Sequence, residues 1–131
     1  MSYAGDITPQ QAWKMLSDNP DAVLVDVRTD AEWRVVGVPD LSSLGRDVVY
    51  LEWNTSDGRL NENFVAELRD LVPSAGRERP VVFLCRSGGR SVSAATVATE
   101  AGIGPAYNVL HGFEGHASLC WRATGLPCKE F

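Results

Sequence analysis

A chain of 131 residues with 44% hydrophobic and 22% charged side chains has the composition of an ordinary globular protein, which excludes disorder and sets the expectation of a single domain over residues 1–131. A net charge of −5 argues against nucleic acid as a partner and requires that any anionic substrate be attracted locally. No apolar run approaches the roughly 18 residues of a membrane span, and MSYAGDITPQQ lacks the basic start and apolar stretch of a secretory signal, so no membrane partner is expected and the cytoplasm is the expected location.

Along the chain, strand-like and helix-like segments alternate. DITPQQAWKMLSDN predicts a helix with Thr8 as N-cap, Pro9 at the first helical position, and Ala12, Met15 and Leu16 on one face. Ala22 to Arg28, AVLVDVR, is a short β-branched run of the kind found in strands buried on both faces, and Thr29 then offers a cap for a helical turn over DAEWR. Asp47 to Trp53 predicts another strand, followed by the turn-rich NTSDGRLN. Asn61 is the expected cap of ENFVAELRDLV, where Phe64, Val65, Leu68 and Leu71 have helical spacing and Pro73 closes the segment. Val81 to Leu84 predicts a strand, Ser91 to Ala101 a helix of small residues ending at Gly102, Ala106 to Leu110 a strand, and Phe113 to Ala123 a terminal helix. Such alternation implies an α/β domain with a mostly parallel sheet, whose ligands bind beyond the carboxyl ends of the strands. Cys85 stands at one of those ends.

The cysteines, Cys85, Cys120 and Cys128, are too few and odd in number for a disulfide framework. Cys85 opens a tight loop through Arg86, Ser87, Gly88, Gly89 and Arg90 into the helix at Ser91. The glycines permit positive φ and leave backbone N–H groups unobstructed, so the turn can form an anion-binding concavity at a helix N-terminus. That setting favours thiolate over thiol, as does a nearby guanidinium. Cys85 is therefore the expected nucleophile. Arg86, directly after it, is expected to project toward an anionic substrate, and Arg90 to bond loop backbone or a neighbouring carboxylate and hold the ring's shape. A cysteine used only for packing would leave the two arginines and the Gly-Gly pair unexplained. A phosphate-cradling P-loop would need wider glycine spacing and a lysine.

The segment CRSGGRS at a strand end resembles the active-site loop of the rhodanese sulfurtransferases. VLVDVRTDAEW is similar to that family's first conserved segment, and NVLHGFEG with CWRATGLP to its C-terminal one, so the likeness runs from Ile7 to Pro127. It implies a five-stranded, mostly parallel sheet flanked by helices on both faces. It also implies transfer of sulfane sulfur from a small anionic donor such as thiosulfate, through a Cys85 persulfide, to cyanide, a thiol or a sulfur-acceptor protein, without a cofactor. Protein tyrosine phosphatases and related arsenate reductases carry five residues between cysteine and arginine, where this chain has four between Cys85 and Arg90. A shorter ring suits a sulfur atom better than a tetrahedral phosphate ester. Non-catalytic relatives that serve as partner-binding modules commonly lack the cysteine. In VGVPDL the chain departs from the family, with Gly37 where many members have a histidine.

Asp26 and Arg28, with Glu32 downstream, could form a substrate-side charge cluster, but Asp26 and Arg28 are read as structural support of the site, Arg28 bonding carboxylates and backbone. Trp13, Trp33, Trp53 and Trp121 are expected in or at the edge of the core. His111, His116, Cys120 and Cys128 match no complete set of zinc-ligand spacings, so no metal is expected.

Overall fold

Two short runs buried along their whole length, VLVD and VVFL, lie side by side at the centre of the sheet. The computed structural model describes residues 3–73, 78–115 and 118–131. In chain order its elements are β1 (Gly5–Ile7), α1 (Pro9–Asp18), β2 (Val23–Asp26), α2 (Asp30–Val36), β3 (Val38–Pro39), β4 (Val49–Tyr50), α3 (Phe64–Leu71), β5 (Val81–Leu84), α4 (Gly89–Glu100), β6 (Ala106–Val109) and β7 (Cys128–Lys129). Five strands form one sheet in the order β1-β6-β5-β2-β4, and every neighbouring pair in it is parallel. A separate antiparallel pair joins β3 to β7.

Alternation along the central strands divides the core into two layers. On one face Val23, Val25, Val81 and Phe83 pack against Phe64 and Leu68 of α3 and Ala94, Ala95 and Ala98 of α4. The alanines let α4 sit close to the strands. On the other face Leu24, Val82, Leu84 and Val109 meet Ala12 and Leu16 of α1, together with Phe113 and Trp121. Helices therefore flank both faces, as expected. Trp33 and Trp121 are buried, while Trp13 and Trp53 pack at the core's edge.

Two helix starts obey local chemistry closely. Thr8 and Thr29 each accept the backbone N–H three residues on, and Gln11 and Glu32 reach back to the cap's own N–H. Elsewhere the structure corrects the sequence. β1 was not anticipated, because Gly5, Asp6 and Ile7 form no apolar run. The strand predicted over Asp47 to Trp53 narrows to Val49–Tyr50, although the Leu51 and Trp53 N–H groups still bond the carbonyls of Asp26 and Val27. The cap position of α3 is Asn63, and Asn61 lies upstream, accepting the Asn63 N–H and donating to the Glu52 carbonyl and the Glu67 carboxylate. Leu71 is 49% exposed, and Val72 enters the core instead. The helix after the cysteine loop begins at Gly89, two residues earlier than expected.

The largest correction concerns Phe113 to Ala123. Its described residues form turns and the start of a 3-10 turn at Arg122–Thr124, not an α-helix. The Phe113 and Glu114 N–H groups are spent on the carbonyls of Cys85 and Arg86, and the Trp121 N–H on that of Gly112. A helix would withdraw those donors into its own ladder.

Candidate active site

The carboxyl ends of β2, β5 and β6 converge, and each delivers one part of the site. From β5 the chain passes directly into Cys85, which is buried. Gly88 then takes φ 116°, a left-handed conformation that turns the backbone back over the cysteine and starts α4. In that turn the Gly88 N–H donates to the Cys85 Sγ at 3.1 Å. The sulfur thus sits at the amino end of a twelve-residue helix, against a backbone donor. Both features favour negative charge on it. Ser91, fully buried in the first turn of α4, places its Oγ 3.2 Å from the same sulfur.

The segment after β6 holds the loop from behind. His111 has φ 68° and Gly112 φ 60°, and this tight reversal brings the next N–H groups onto the loop. Phe113 donates to the Cys85 carbonyl at 2.8 Å and Glu114 to the Arg86 carbonyl at 3.1 Å. With those carbonyls held by the segment behind, the Gly88 N–H faces the sulfur.

At the end of β2, Arg28 and Asp26 are both fully buried. The guanidinium bonds the carboxylate through Nε at 3.0 Å and Nη2 at 2.7 Å, and Nη2 also reaches the Gly37 carbonyl at 2.9 Å. It stacks on the Phe113 ring with its carbon 4.2 Å from the centroid. Arg28 therefore ties the end of α2 to the segment that backs the cysteine loop. Gly37 has φ 98°, and a Cβ there would lie 3.0 Å from the Lys129 carbonyl oxygen. That backbone cannot carry a histidine without strain.

The two arginines of the cysteine loop are also matched to carboxylates. Arg90 forms a two-pronged pair with Glu32, at 2.7 and 3.0 Å, so the ring-closing arginine has its neighbouring carboxylate. Burial raises the Glu32 carboxyl, but the Arg90 guanidinium and the Thr29 N–H outweigh it and hold the group at about 2. Glu32 is thereby both the helix-cap acceptor and the anchor of the loop. Arg86 does not project unencumbered toward a substrate: its Nε bonds Glu114 at 2.7 Å, and Arg122 stands 3.8 Å from the same carboxylate. Ser87 is exposed, and its backbone is covered by Gly115, where a Cβ would fall 2.5 Å from the Ser87 Cα. Gly89 opens α4 with space around it.

Glu114, Asn108, Asp6, Gly112 and Gly115 were not singled out from sequence. A signal was present in GFEG, two glycines flanking an acid just past a strand end, but its meaning depends on β6 lying beside β5. Cys120 is buried in the C-terminal segment and Cys128 is exposed on β7. Of the residues weighed as metal ligands, His116 lies outside the described residues.

A family model described as the STR4 middle domain matches residues 4–130. An uncharacterised protein of Rickettsia conorii is 37% identical over 93% of this chain and 94% of its own. The thiosulfate sulfurtransferase GlpE of Glaesserella parasuis is 31% identical over 95% of this chain and 92% of its own. Among solved structures, Rv0390 from M. tuberculosis superposes with a TM-score of 0.91 at 68% identity, covering 99% of this chain and 100% of that one. A rhodanese-like domain from Anabaena shares the fold, with a TM-score of 0.67 at 14% identity over 100% of this chain and 80% of that one.

Proposed function

The chain belongs to the rhodanese-like family, and from that premise we propose that it transfers sulfane sulfur from thiosulfate through a persulfide on Cys85. The observation that carries this reading is the contact of the Gly88 N–H with the Cys85 Sγ at the head of α4. A nucleophile placed there is stabilised as an anion both before and after it takes up sulfur.

In the first half-reaction the Cys85 thiolate attacks the outer sulfur of thiosulfate. A new S–S bond forms, the donor's S–S bond breaks, and its electron pair leaves with sulfite. The product is a persulfide with its charge on the terminal sulfur, within reach of the loop's donors. In the second half-reaction an acceptor (cyanide in an assay, a thiol or a sulfur-accepting protein in the cell) takes that terminal sulfur and returns the Cys85 thiolate. One difficult transfer is divided into two easier ones. Asp26, Arg28, Glu32 and Arg90 serve this chemistry by fixing the loop's shape rather than by touching the reacting atoms. Arg86 and Ser87, at the exposed mouth of the loop, are the residues a donor passes first.

The test is intact-mass spectrometry of the purified protein after thiosulfate. The expected result is a gain of one sulfur, removed by cyanide as thiocyanate, absent in Cys85→Ser and retained in Cys120→Ser and Cys128→Ser. Loading that survives Cys85→Ser overturns the proposal.

A further inference from the structure

Behind the reactive sulfur a chain of hydrogen bonds crosses the sheet on its α4 face. Ser91 Oγ bonds the Asn108 Oδ1 at 2.5 Å, the Asn108 Nδ2 donates to the Asp6 Oδ1 at 3.0 Å, and the Tyr3 hydroxyl donates to that same oxygen at 2.6 Å. Asn108 and Asp6 are register partners on β6 and β1, and Ser91 approaches them from the helix above. The chain begins at a buried thiol and ends at an exposed carboxylate on the sheet's edge.

The direction of every bond in it is fixed from the Asp6 end. An ionised carboxylate only accepts. The Tyr3 hydroxyl and the Asn108 amide hold the Asp6 carboxyl below its ordinary value, so it is ionised at neutral pH. The Asn108 NH2 must therefore face Asp6, which leaves its Oδ1 facing Ser91. That oxygen is also acceptor-only, so the single Ser91 hydroxyl proton is committed to it. What Ser91 offers the Cys85 sulfur at 3.2 Å is then a lone pair.

On this basis we infer that Asn108 and Asp6 are positioning residues that hold a Ser91 hydroxyl lone pair against the Cys85 sulfur, so that this contact opposes the thiolate that the Gly88 N–H and the head of α4 favour. The inference rests on Cys85 being the reactive thiol. A thiol can donate to that lone pair; a thiolate requires the hydroxyl to rotate and donate to sulfur instead. Rotation strips the buried Asn108 Oδ1 of its donor, and an unsatisfied buried acceptor opposes the change. Arg90 acts on the sulfur in the opposite sense, but it and Arg28 and Arg86 are each paired, with Glu32, Asp26 and Glu114, which offsets their pull. Asp6, at the sheet edge and touching no reacting atom, would thus restrain the nucleophile through two intermediaries.

The experiment reads the ultraviolet thiolate absorbance at neutral pH, each protein measured against its own Cys85→Ser counterpart so that Cys120 and Cys128 cancel. No sulfur donor is present, so failure of sulfur transfer and failure of this inference are separate results. Asn108→Leu releases the Ser91 hydroxyl, and Asp6→Asn permits the amide to reverse. Both are expected to raise the Cys85 thiolate-to-thiol ratio roughly three- to tenfold, the scale of one hydrogen bond. Asp6→Glu, still acceptor-only, is expected to keep the parent ratio. An unchanged or lower ratio in folded Asp6→Asn overturns the inference, whatever becomes of Asn108→Leu. So does an equal rise in Asp6→Glu, which would trace the effect to lost packing rather than bond direction.

Discussion

Gly112 lies so close beneath Arg86 that a Cβ in place of its hydrogen would fall 2.3 Å from the Arg86 carbonyl oxygen and 2.5 Å from that of Cys85. Both neighbours are backbone, so neither can swing aside. The same glycine has φ 60°. Gly112→Ala therefore has to push the cysteine loop away from the segment that bonds it, breaking the contacts of Phe113 and Glu114 with the loop carbonyls. We expect a loss of about 2–3 kcal/mol in stability and a fall of at least tenfold in kcat for sulfur transfer. Gly125→Ala is the control: its φ is also positive, at 83°, but its Cβ would meet nothing within 4 Å. It should cost about 1 kcal/mol and leave kcat alone. Equal effects of the two substitutions, read from denaturation curves and thiocyanate production, would show that close approach to the loop is not what Gly112 supplies.

The Glu32–Arg90 pair links stability to pH with a definite sign. The Glu32 carboxyl lies at about 2 in the folded chain, against an ordinary 4.5. A carboxyl depressed by folding contributes its full stabilisation above its unfolded value and loses it as pH falls toward the folded one. Glu32→Gln should be about 1–2 kcal/mol less stable than the parent at pH 7, a discounted figure because the side chain is 24% exposed. That gap should narrow between pH 4.5 and about 2. Arg90→Ala should lose turnover as well, because the loop would lose its anchor while a half-buried carboxylate lost its partner. A stability gap independent of pH would contradict the assigned role of the pair.

What could be read from sequence and what could not divide along physical lines. Local signals were legible: Thr8 and Thr29 cap because their oxygens sit three residues before Gln11 and Glu32. Val81 to Leu84 announces a buried strand because it is apolar throughout. Cys85 was legible as a candidate nucleophile because Arg86 to Ser91, with the Gly88-Gly89 pair among them, follow it directly. Illegible features depend on partners remote in sequence. β1 exists because Gly5, Asp6 and Ile7 find the edge of β6, and nothing in the tripeptide says so. The pairing of Arg86 with Glu114, 28 residues away, arises only after β6 docks beside β5. The Phe113 region carries apolar residues but no helix, because its N–H groups have better acceptors on the cysteine loop.

That pairing changes what Arg86 is expected to do. A guanidinium bonded to a carboxylate contributes little net field to an approaching dianion, so Arg86→Ala should raise the KM for thiosulfate only slightly. Removing the restraint is the more informative change. Glu114→Gln leaves Arg86 charged and unpaired at the mouth of the loop, and the KM should fall about two- to threefold at low ionic strength. The gain should disappear as salt is raised. Stability should change by no more than about 1 kcal/mol, since Arg86 is 64% exposed and such pairs are weak. A KM that rises in Glu114→Gln would mean that the pair orients the arginine usefully rather than masking it.

Ring size sets the remaining expectation, which concerns selectivity. Four residues separate Cys85 from Arg90, and both ends of that ring are pinned, by the Gly88 N–H on the sulfur and by Glu32 on the guanidinium. A loop pinned at both ends cannot expand to admit a tetrahedral phosphate ester by flexing, and Gly88 is already at φ 116° to close the turn. Aryl phosphates should therefore be turned over poorly or not at all at any pH at which the protein stays folded. Inserting one glycine between Gly88 and Gly89 lengthens the ring and lifts the Gly88 N–H away from the sulfur, so sulfur loading should fall at least tenfold, the scale of losing a donor aimed at developing charge. The same insertion should permit slow aryl phosphate hydrolysis, read as phenolate release and checked for loss in a Cys85→Ser background. Efficient phosphate hydrolysis by the parent chain would show that ring length does not discriminate between the two chemistries.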